Sequence, residues 1–334
     1  MNIRSIYSSS NVRRILFVSF FLFFLIRFRY NLLTIYYILQ TYATWYRFNS
    51  GIITAEDNFD TTLSSYPLNQ TSAQTNYTDV VPAILHHILI GNIELNQRPE
   101  WVASREACLK WHPNYEHRFW NDTTAEQLIQ QEYPWFYSTW KSYTYPIQRA
   151  DSLRYLILYR YGGIFLDLDL HCRRSLGPLR RFEFVSPSAY PVGISNGFLM
   201  ASARHPFIKT LVDQLPLFNR NFIFPYATVM FSTGCMYISA QYSLFHDRCR
   251  LKLLDYQTHR LSGRVTTPLF HHAGSSSWHS NDALFIRILD NSLKVLFRYY
   301  ELILIFVLLI FIVVLWFYRR TTKQQIINQK QLVI

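Results

Sequence analysis

The stretch IQRADSLRYLILYRYGGIFLDLDL, residues 147–170, decides how the chain reads. Pro146 stands just before it, where a proline suits the first turn of a helix, and Leu153, Leu156 and Ile157 recur at helical spacing. Gly162-Gly163 stop that helix, and IFLDLDL, Ile164 to Leu170, follows as an apolar strand. Asp167 and Asp169 stand two apart at its end, so in an extended strand both side chains share one face, roughly 6.6 Å apart. Two carboxylates at the end of a buried strand need positive compensation. A divalent cation, Mn²⁺ or Mg²⁺, suits such hard oxygen ligands and would bridge the diphosphate of a nucleotide. Taken alone, Asp-x-Asp is common and also closes ordinary solvated strand ends. Asp151 and Arg154, three apart on the preceding helix, share a face, either as an ion pair or aimed together at a polyhydroxyl ligand.

Outward from this segment, strand and helix patterns alternate. AILHHILI, Ala83 to Ile90, reads as a first strand ended by Gly91-Asn92. A helix follows over Trp101 to Trp111, a strand over Tyr115 to Trp120, and a helix over Ala125 to Tyr133 capped by Asp122, Thr123 and Thr124. The order predicts an α/β fold around a largely parallel sheet. Residues 47–80 are rich in Ser, Thr, Asn and Asp without sustained periodicity and read as a linker, so the folded domain is expected to begin at Val81 and run to about residue 290.

The 334 residues are 50% hydrophobic and only 16% charged, which excludes a disordered chain. Two apolar runs lie at the ends. YYELILIFVLLIFIVVLWFY, residues 299–318, is 20 residues long, enough at about 1.5 Å per residue to span roughly 30 Å of hydrocarbon. ILFVSFFLFFLI, Ile15 to Ile26, is shorter and is followed by Arg27, Arg29 and a second semi-apolar stretch, Leu32 to Leu39. No small-residue cleavage site follows it, so an uncleaved signal anchor over 15–39 is expected. Residues 1–30 carry five Arg and no acid, and residues 319–334 carry four Lys or Arg and no acid, so nine of the net +12 lies beside the two spans. That placement argues against nucleic-acid binding and fits the positive-inside rule: cytoplasmic tails at 1–14 and 319–334, a lumenal stem at 40–80 and a lumenal domain between. Sequons at Asn69, Asn76 and Asn121 agree with a lumen. The four cysteines, Cys108, Cys172, Cys235 and Cys249, match no zinc spacing and leave both disulfides and buried thiols open.

The 147–170 segment resembles the signature of glycosyltransferases with an Asp-x-Asp sugar-binding region. VPAILHHILIGN is similar to that family's opening strand, CLKWHPNYEHRFWND (Cys108 to Asp122) to its next block, and EYPWFYSTWKSYTYPIQRAD to the lead into the helix. ISNGFLMASARHPF (Ile194 to Phe207) and GSSSWHSNDA (Gly274 to Ala283) resemble its later blocks, so the likeness covers about residues 81–290. Within the family, the YPWF, RHPF and SSWH segments and the two apolar spans look most like the inositol phosphoceramide mannosyltransferases.

The resemblance implies a GT-A type, Rossmann-like nucleotide-sugar domain flanked by transmembrane helices. It implies a divalent metal, Mn²⁺ or Mg²⁺, on Asp167 and Asp169 with His279 as a further contact. Asp151, Arg154 and Asn196 would then contact the donor sugar, with His86 and Trp120 in the donor site. The implied reaction is mannose transfer from GDP-mannose to inositol phosphoceramide, with retention guided by the leaving diphosphate, at a Golgi or ER membrane, with a regulatory membrane subunit as a further partner. The basic pairs Arg173-Arg174 and Arg180-Arg181 read as attractors of an anionic headgroup, with Arg173 and Arg174 as acceptor contacts, or as a solvated surface. Close relatives commonly read Asp-x-Asp-Asp-Gly, whereas this chain has Asp-Leu-Asp-Leu-His, which leaves a glycan acceptor as the alternative. Cys235 stands where a proline is usual after Ser-Thr-Gly. Phosphohydrolases also use Asp-x-Asp, but they place Thr or Val four residues after the first Asp, where this chain has His171. A non-catalytic subunit that keeps the fold is a third reading, against which the retention of both aspartates argues.

Overall fold

The computed structural model describes residues 9–47, 51–222 and 224–274. His279, the 299–318 run and the tail at 319–334 lie outside these residues, as does most of the Gly274 to Ala283 block. The chain opens with α1 (Ser9–Arg47), whose Val12–Trp45 portion is long and apolar enough to cross a membrane. The core then builds through β1 (Ile84–Ile88), α2 (Pro99–Trp111), β2 (Glu116–Trp120), α3 (Asp122–Glu132), α4 (Pro134–Ser142) and α5 (Pro146–Tyr161). It continues with β3 (Gly163–Leu166), β4 (Leu170–Cys172), β5 (Phe184–Pro187), β6 (Phe198–Ala201), α6 (Pro206–Phe218), α7 (Pro225–Ser232) and α8 (Cys235–Leu244). β7 (Leu251–Leu254), the single-turn α9 (Tyr256–His259), β8 (Val265–Thr266) and β9 (Phe270–His272) complete it.

The main sheet has the order β2-β1-β3-β6-β5-β7, and β4-β9-β8 form a second, smaller sheet. The expectation of a largely parallel sheet is corrected in part. β1 pairs in parallel with β2 and β3, and β5 with β7, but β6 runs antiparallel to both of its neighbours. The central strands are apolar throughout because both faces are covered. Along β3 and β6 successive residues feed opposite sides: Phe165, Leu199 and Ala201 enter one core with Tyr155 and Leu156 of α5, while Ile164, Leu166, Phe198 and Met200 enter the other.

The linker reading of 47–80 is overturned. α1 runs on to Arg47, and residues 51–80 form a belt packed on the domain, with Ile53, Phe59, Leu63 and Tyr66 buried in the second core. Gly51 and Ile53 exchange backbone hydrogen bonds with Leu253 of β7. The polar residues that suggested a tether make local turns instead: Asp60 accepts from the amides of Thr62 and Ser65 and from the Ser64 hydroxyl. Long-range donors hold the belt's carbonyls. Arg174 donates to Leu63 and Tyr66, Arg180 to Thr71 and Val81, and Arg181 to Asp57 and Asn58.

A disulfide joins Cys108 of α2 to Cys172 of β4, closing a loop with a sequence separation of 64, while Cys235 and Cys249 are unpaired thiols. Cross-linking a loop of this length stabilises the fold by about 4 kcal/mol through the unfolded chain. A Cys108→Ala/Cys172→Ala double variant is therefore expected to unfold at clearly lower temperature in a thermal melt than a Cys249→Ala control. Equal melting temperatures would show that the bond contributes nothing.

Candidate active site

The site forms at the carboxyl end of β3, beside the start of the antiparallel β6. α5 runs back along β3, so its first turns arrive at this same edge, and Gly162 and Gly163 make the reversal at φ 65° and 99°. A side chain on Gly162 would strike the Ala203 amide at 2.5 Å. Asp167 follows the last residue of β3 and donates its amide to Gly197 at 2.8 Å, which brings the Asn196-Gly197 pair alongside.

Arg154 of α5 holds the cluster together. Its guanidinium lies 2.8 Å from Oδ1 of Asp151, 3.4 Å from Oδ1 of Asp167 and donates to the Asn196 carbonyl at 2.5 Å. It also stacks over the Phe165 ring, 4.5 Å from its centre. Asp151 accepts further bonds from the Asn196 amide, 3.2 Å, and the Thr233 hydroxyl, 3.1 Å, and the Cys235 thiol donates to Asn196 Oδ1 at 2.9 Å. Burial pushes the Asp151 carboxyl above its ordinary value against the pull of Arg154, Thr233 and Asn196. Asp167 is the open member of the group, with 39% of its side chain exposed against 3% for Arg154. Desolvation at the sheet edge pushes its carboxyl up to about 7, an effect that Arg154 opposes and that Asp169 and Asp151 reinforce.

The two aspartates of the motif are not on one straight strand. β3 ends at Leu166, Leu170 donates its amide to the Asp167 carbonyl, and the chain turns out of the main sheet into β4. Asp167 therefore belongs to Arg154, whereas Asp169 meets His272 of β9 at 3.2 Å. The other His272 nitrogen faces the Gly263 carbonyl at 2.7 Å. With an acceptor at each nitrogen the ring carries both protons, and although burial disfavours that charge, the Asp169 carboxylate raises the imidazole above its ordinary value. Three carboxylates, Asp151, Asp167 and Asp169, thus face two cations, Arg154 and His272.

Three expected ligand contacts are corrected. His86 accepts from Trp120 Nε1 at Nδ1 and so donates from Nε2 to the Gly162 carbonyl at 2.9 Å, which fixes its tautomer. Its burial is complete and pushes the imidazole down to about 4, so His86 and Trp120 brace the α5–β3 turn and offer no polar atom to a donor. Arg174 is buried with its guanidinium spent on the belt. Arg173 stays exposed, with Nη1 on the Thr267 carbonyl. The residues that sequence reasoning missed are His272, Thr233 and Gly197. His272 lies more than a hundred positions from its partner, and no local pattern announces it.

Residues 99–185, which hold Asp151, Arg154, Asp167 and Asp169, match the family described as the glycosyltransferase sugar-binding region containing DXD motif. Mannosyl phosphorylinositol ceramide synthase CSH1 of Saccharomyces cerevisiae is 34% identical over 74% of this chain and 67% of its own length. Inositol phosphoceramide mannosyltransferase 1 of Schizosaccharomyces pombe is 31% identical over 71% of this chain and 74% of its own. The chain belongs to this glycosyltransferase family. Inositol phosphoceramide mannosyltransferase 3 of Schizosaccharomyces pombe is 38% identical over 64% of this chain, which spans 60% of that relative's length. Among solved structures the PaToxG glycosyltransferase is similar over 63% of this chain and 80% of that one, at 16% identity and a TM-score of 0.37.

For this glycosyltransferase the geometry makes two expectations. Arg154→Met strands the buried Asp151 and is expected to cost about 3–5 kcal/mol, read as a lowered unfolding midpoint in denaturant. Gly197→Ala places a Cβ 2.8 Å from Oδ2 of Asp167. The carboxylate is a side-chain end and gives way, so transfer should fall about tenfold or more while the melting temperature stays close to wild type. Unchanged transfer would mean that the placement of Asp167 is irrelevant.

Proposed function

We propose that the protein is a retaining transferase that moves mannose from GDP-mannose to inositol phosphoceramide. The observation that carries this reading is the Asp151–Arg154–Asp167–Asn196 cluster at the sheet edge, in a chain whose relatives bear the names of that activity. The C-terminal edge of an α/β sheet, where strand direction changes, is the general place for a nucleotide ligand. Asp151 and Arg154, behind Asp167, set the charge and orientation of that wall, and Asn196 ties it to β6.

The residues fit a divalent cation. Among the described residues no three His, Cys, Asp or Glu side chains converge as a complete cage. One or two carboxylates are nonetheless what Mg²⁺ or Mn²⁺ takes when phosphate oxygens complete its shell. Three carboxylates against two cations leave a surplus of one negative charge, which is the matching electrostatic sign. Asp167 and Asp169 would hold the ion, which when bound would neutralise the diphosphate as it leaves. Arg154 fixes the Asp167 carboxylate in place, and His272 orients Asp169. No described carboxylate stands apart as a covalent nucleophile, so in this reading the acceptor hydroxyl reaches the anomeric carbon from the face that the diphosphate departs.

In the same reading both ends are cytoplasmic, the domain is lumenal and the protein resides in a Golgi or ER membrane; the apolar α1 and the basic sequence at both ends support it. Asn69, Asn76 and Asn121 are all exposed, as glycan acceptors must be. Asp167→Asn and Asp169→Asn should each lower transfer by about a hundredfold or more. Both should leave folding intact, because neither opens a cavity. The check is mannose transfer by the full chain in chelator and after Mn²⁺ is restored. Full activity in chelator would overturn the metal assignment, and unchanged mannosylated sphingolipids in cells lacking the gene would overturn the acceptor.

A further inference from the structure

α1 divides into two halves by what it touches. From Val12 to Arg29 almost every described side chain is exposed, whereas from Tyr30 onward one face packs on the domain. Tyr37 stacks near Phe218 at 5.3 Å, the Thr41 hydroxyl bonds that of Ser243 at 3.0 Å, and Trp45 enters the core beside Tyr242. The 20 residues before Tyr30 cover about 30 Å, the thickness of a hydrocarbon layer. The domain therefore begins where the bilayer would end.

At that level the structure holds three guanidinium groups matched with no carboxylate among the described residues. Arg27 and Arg29 lie on α1 beside Phe28 and Tyr30, and Arg220, just past α6, stacks on the Tyr30 ring at 3.7 Å. Arg220 Nε is buried and has no hydrogen-bond partner among the described residues. Such a nitrogen is costly unless an acceptor reaches it. Beside it a shallow apolar crevice runs between α1 and the α6–α8 face, lined by Leu33, Thr34, Tyr37, Phe218, Phe231 and Met236. Leu217, one of its lining residues, is exposed.

The crevice and the sugar-binding cluster share a wall. Phe231 and Met236 face the crevice, while Thr233 and Cys235, between them in sequence, bond to Asp151 and Asn196. The turn from α7 to α8 thus has a lipid-level side and a donor side. We propose that the crevice takes one acyl chain of the acceptor lipid, with Arg220 at its mouth holding the phosphodiester. An anionic headgroup matches the Arg220 guanidinium, which meets no carboxylate among the described residues, and an apolar chain continues the lipid-exposed surface of α1. The proposal rests on the lipid-acceptor reading and gives that lipid its place.

The experiment uses the full chain in phosphatidylcholine nanodiscs with a phosphoinositol-headed sphingolipid carrying a diazirine on its acyl chain. Label is expected on peptides holding Leu33 to Tyr37 and Phe218 to Phe231, and unlabelled acceptor should displace it. Thr34→Phe should raise the apparent KM for the intact lipid about tenfold and leave transfer to the deacylated headgroup within about twofold, whereas Arg220→Glu should raise it for both acceptors, with acceptor-free donor hydrolysis within about twofold in each variant. Label confined to the outer side of α1, an unchanged KM in both variants, or an equal loss with the deacylated headgroup in Thr34→Phe would overturn the proposal. Displaceable crevice label without any mannose transfer by wild type would instead overturn the acceptor reading and leave the crevice standing. Where a variant loses donor hydrolysis, and so its fold, the labelling of the wild type decides alone.

Discussion

The guanidinium of Arg154 is the contact on which the site depends. A buried cation of this kind destabilises a fold unless its charge and its N–H groups are met in the right geometry. Here they are met by three separate pieces of chain: Asp151 one turn back on α5, Asp167 at the end of β3, and the Asn196 carbonyl ahead of β6. Helical spacing delivers the first, and the Gly162-Gly163 reversal delivers the second by folding α5 back on β3. The antiparallel approach of β6 delivers the third. Shifting Asp151 or the Asn196 carbonyl leaves a buried polar group without its partner, so the local geometry of the site and the registry of the central sheet are set together.

This explains why some of the structure was legible in the sequence and some was not. Helix α5, its glycine stop and the apolar β3 are written locally, in a proline, a spacing of leucines and two glycines, and they stand as read. Asp151 and Arg154, three apart on that helix, form the ion pair that their spacing allows. The turn at Asp167–Asp169 was misread as continuing strand because its determinants are distant: the pairing of β4 with β9 and the hydrogen bond from the Ala273 amide to the Asp169 carbonyl. An alternating apolar pattern cannot reveal that a chain changes sheets. The antiparallel β6 was hidden for the same reason, since an apolar run covered on both faces carries no sign of its direction.

Charge was legible in amount and misread in use. The basic residues after the Asp-x-Asp motif looked like an attractor for an anionic headgroup. Arg174, Arg180 and Arg181 instead satisfy carbonyls of the 51–80 belt, and Arg180 pairs with Asp79 at 2.7 Å. The belt itself lacks periodicity because its apolar side chains, Ile53, Phe59, Leu63 and Tyr66, plug the second core at irregular intervals. A segment whose order comes from donors elsewhere in the chain has the composition of a tether, and composition alone does not separate the two.

The belt and the docked half of α1 have a consequence for how such an enzyme would meet its substrate. A catalytic head on a loose tether samples a volume and can reach acceptors that project far above the surface. Here the anchor helix is bonded and packed to the head through Thr41 and Trp45, and the belt closes the remaining slack against β7. Anchor and head then move as one body, its clefts held at a constant height over the plane in which they diffuse. With α1 in a bilayer, encounter would be a two-dimensional search among molecules at that height, and bulky, tall acceptors would be excluded by altitude before any pocket tested their shape.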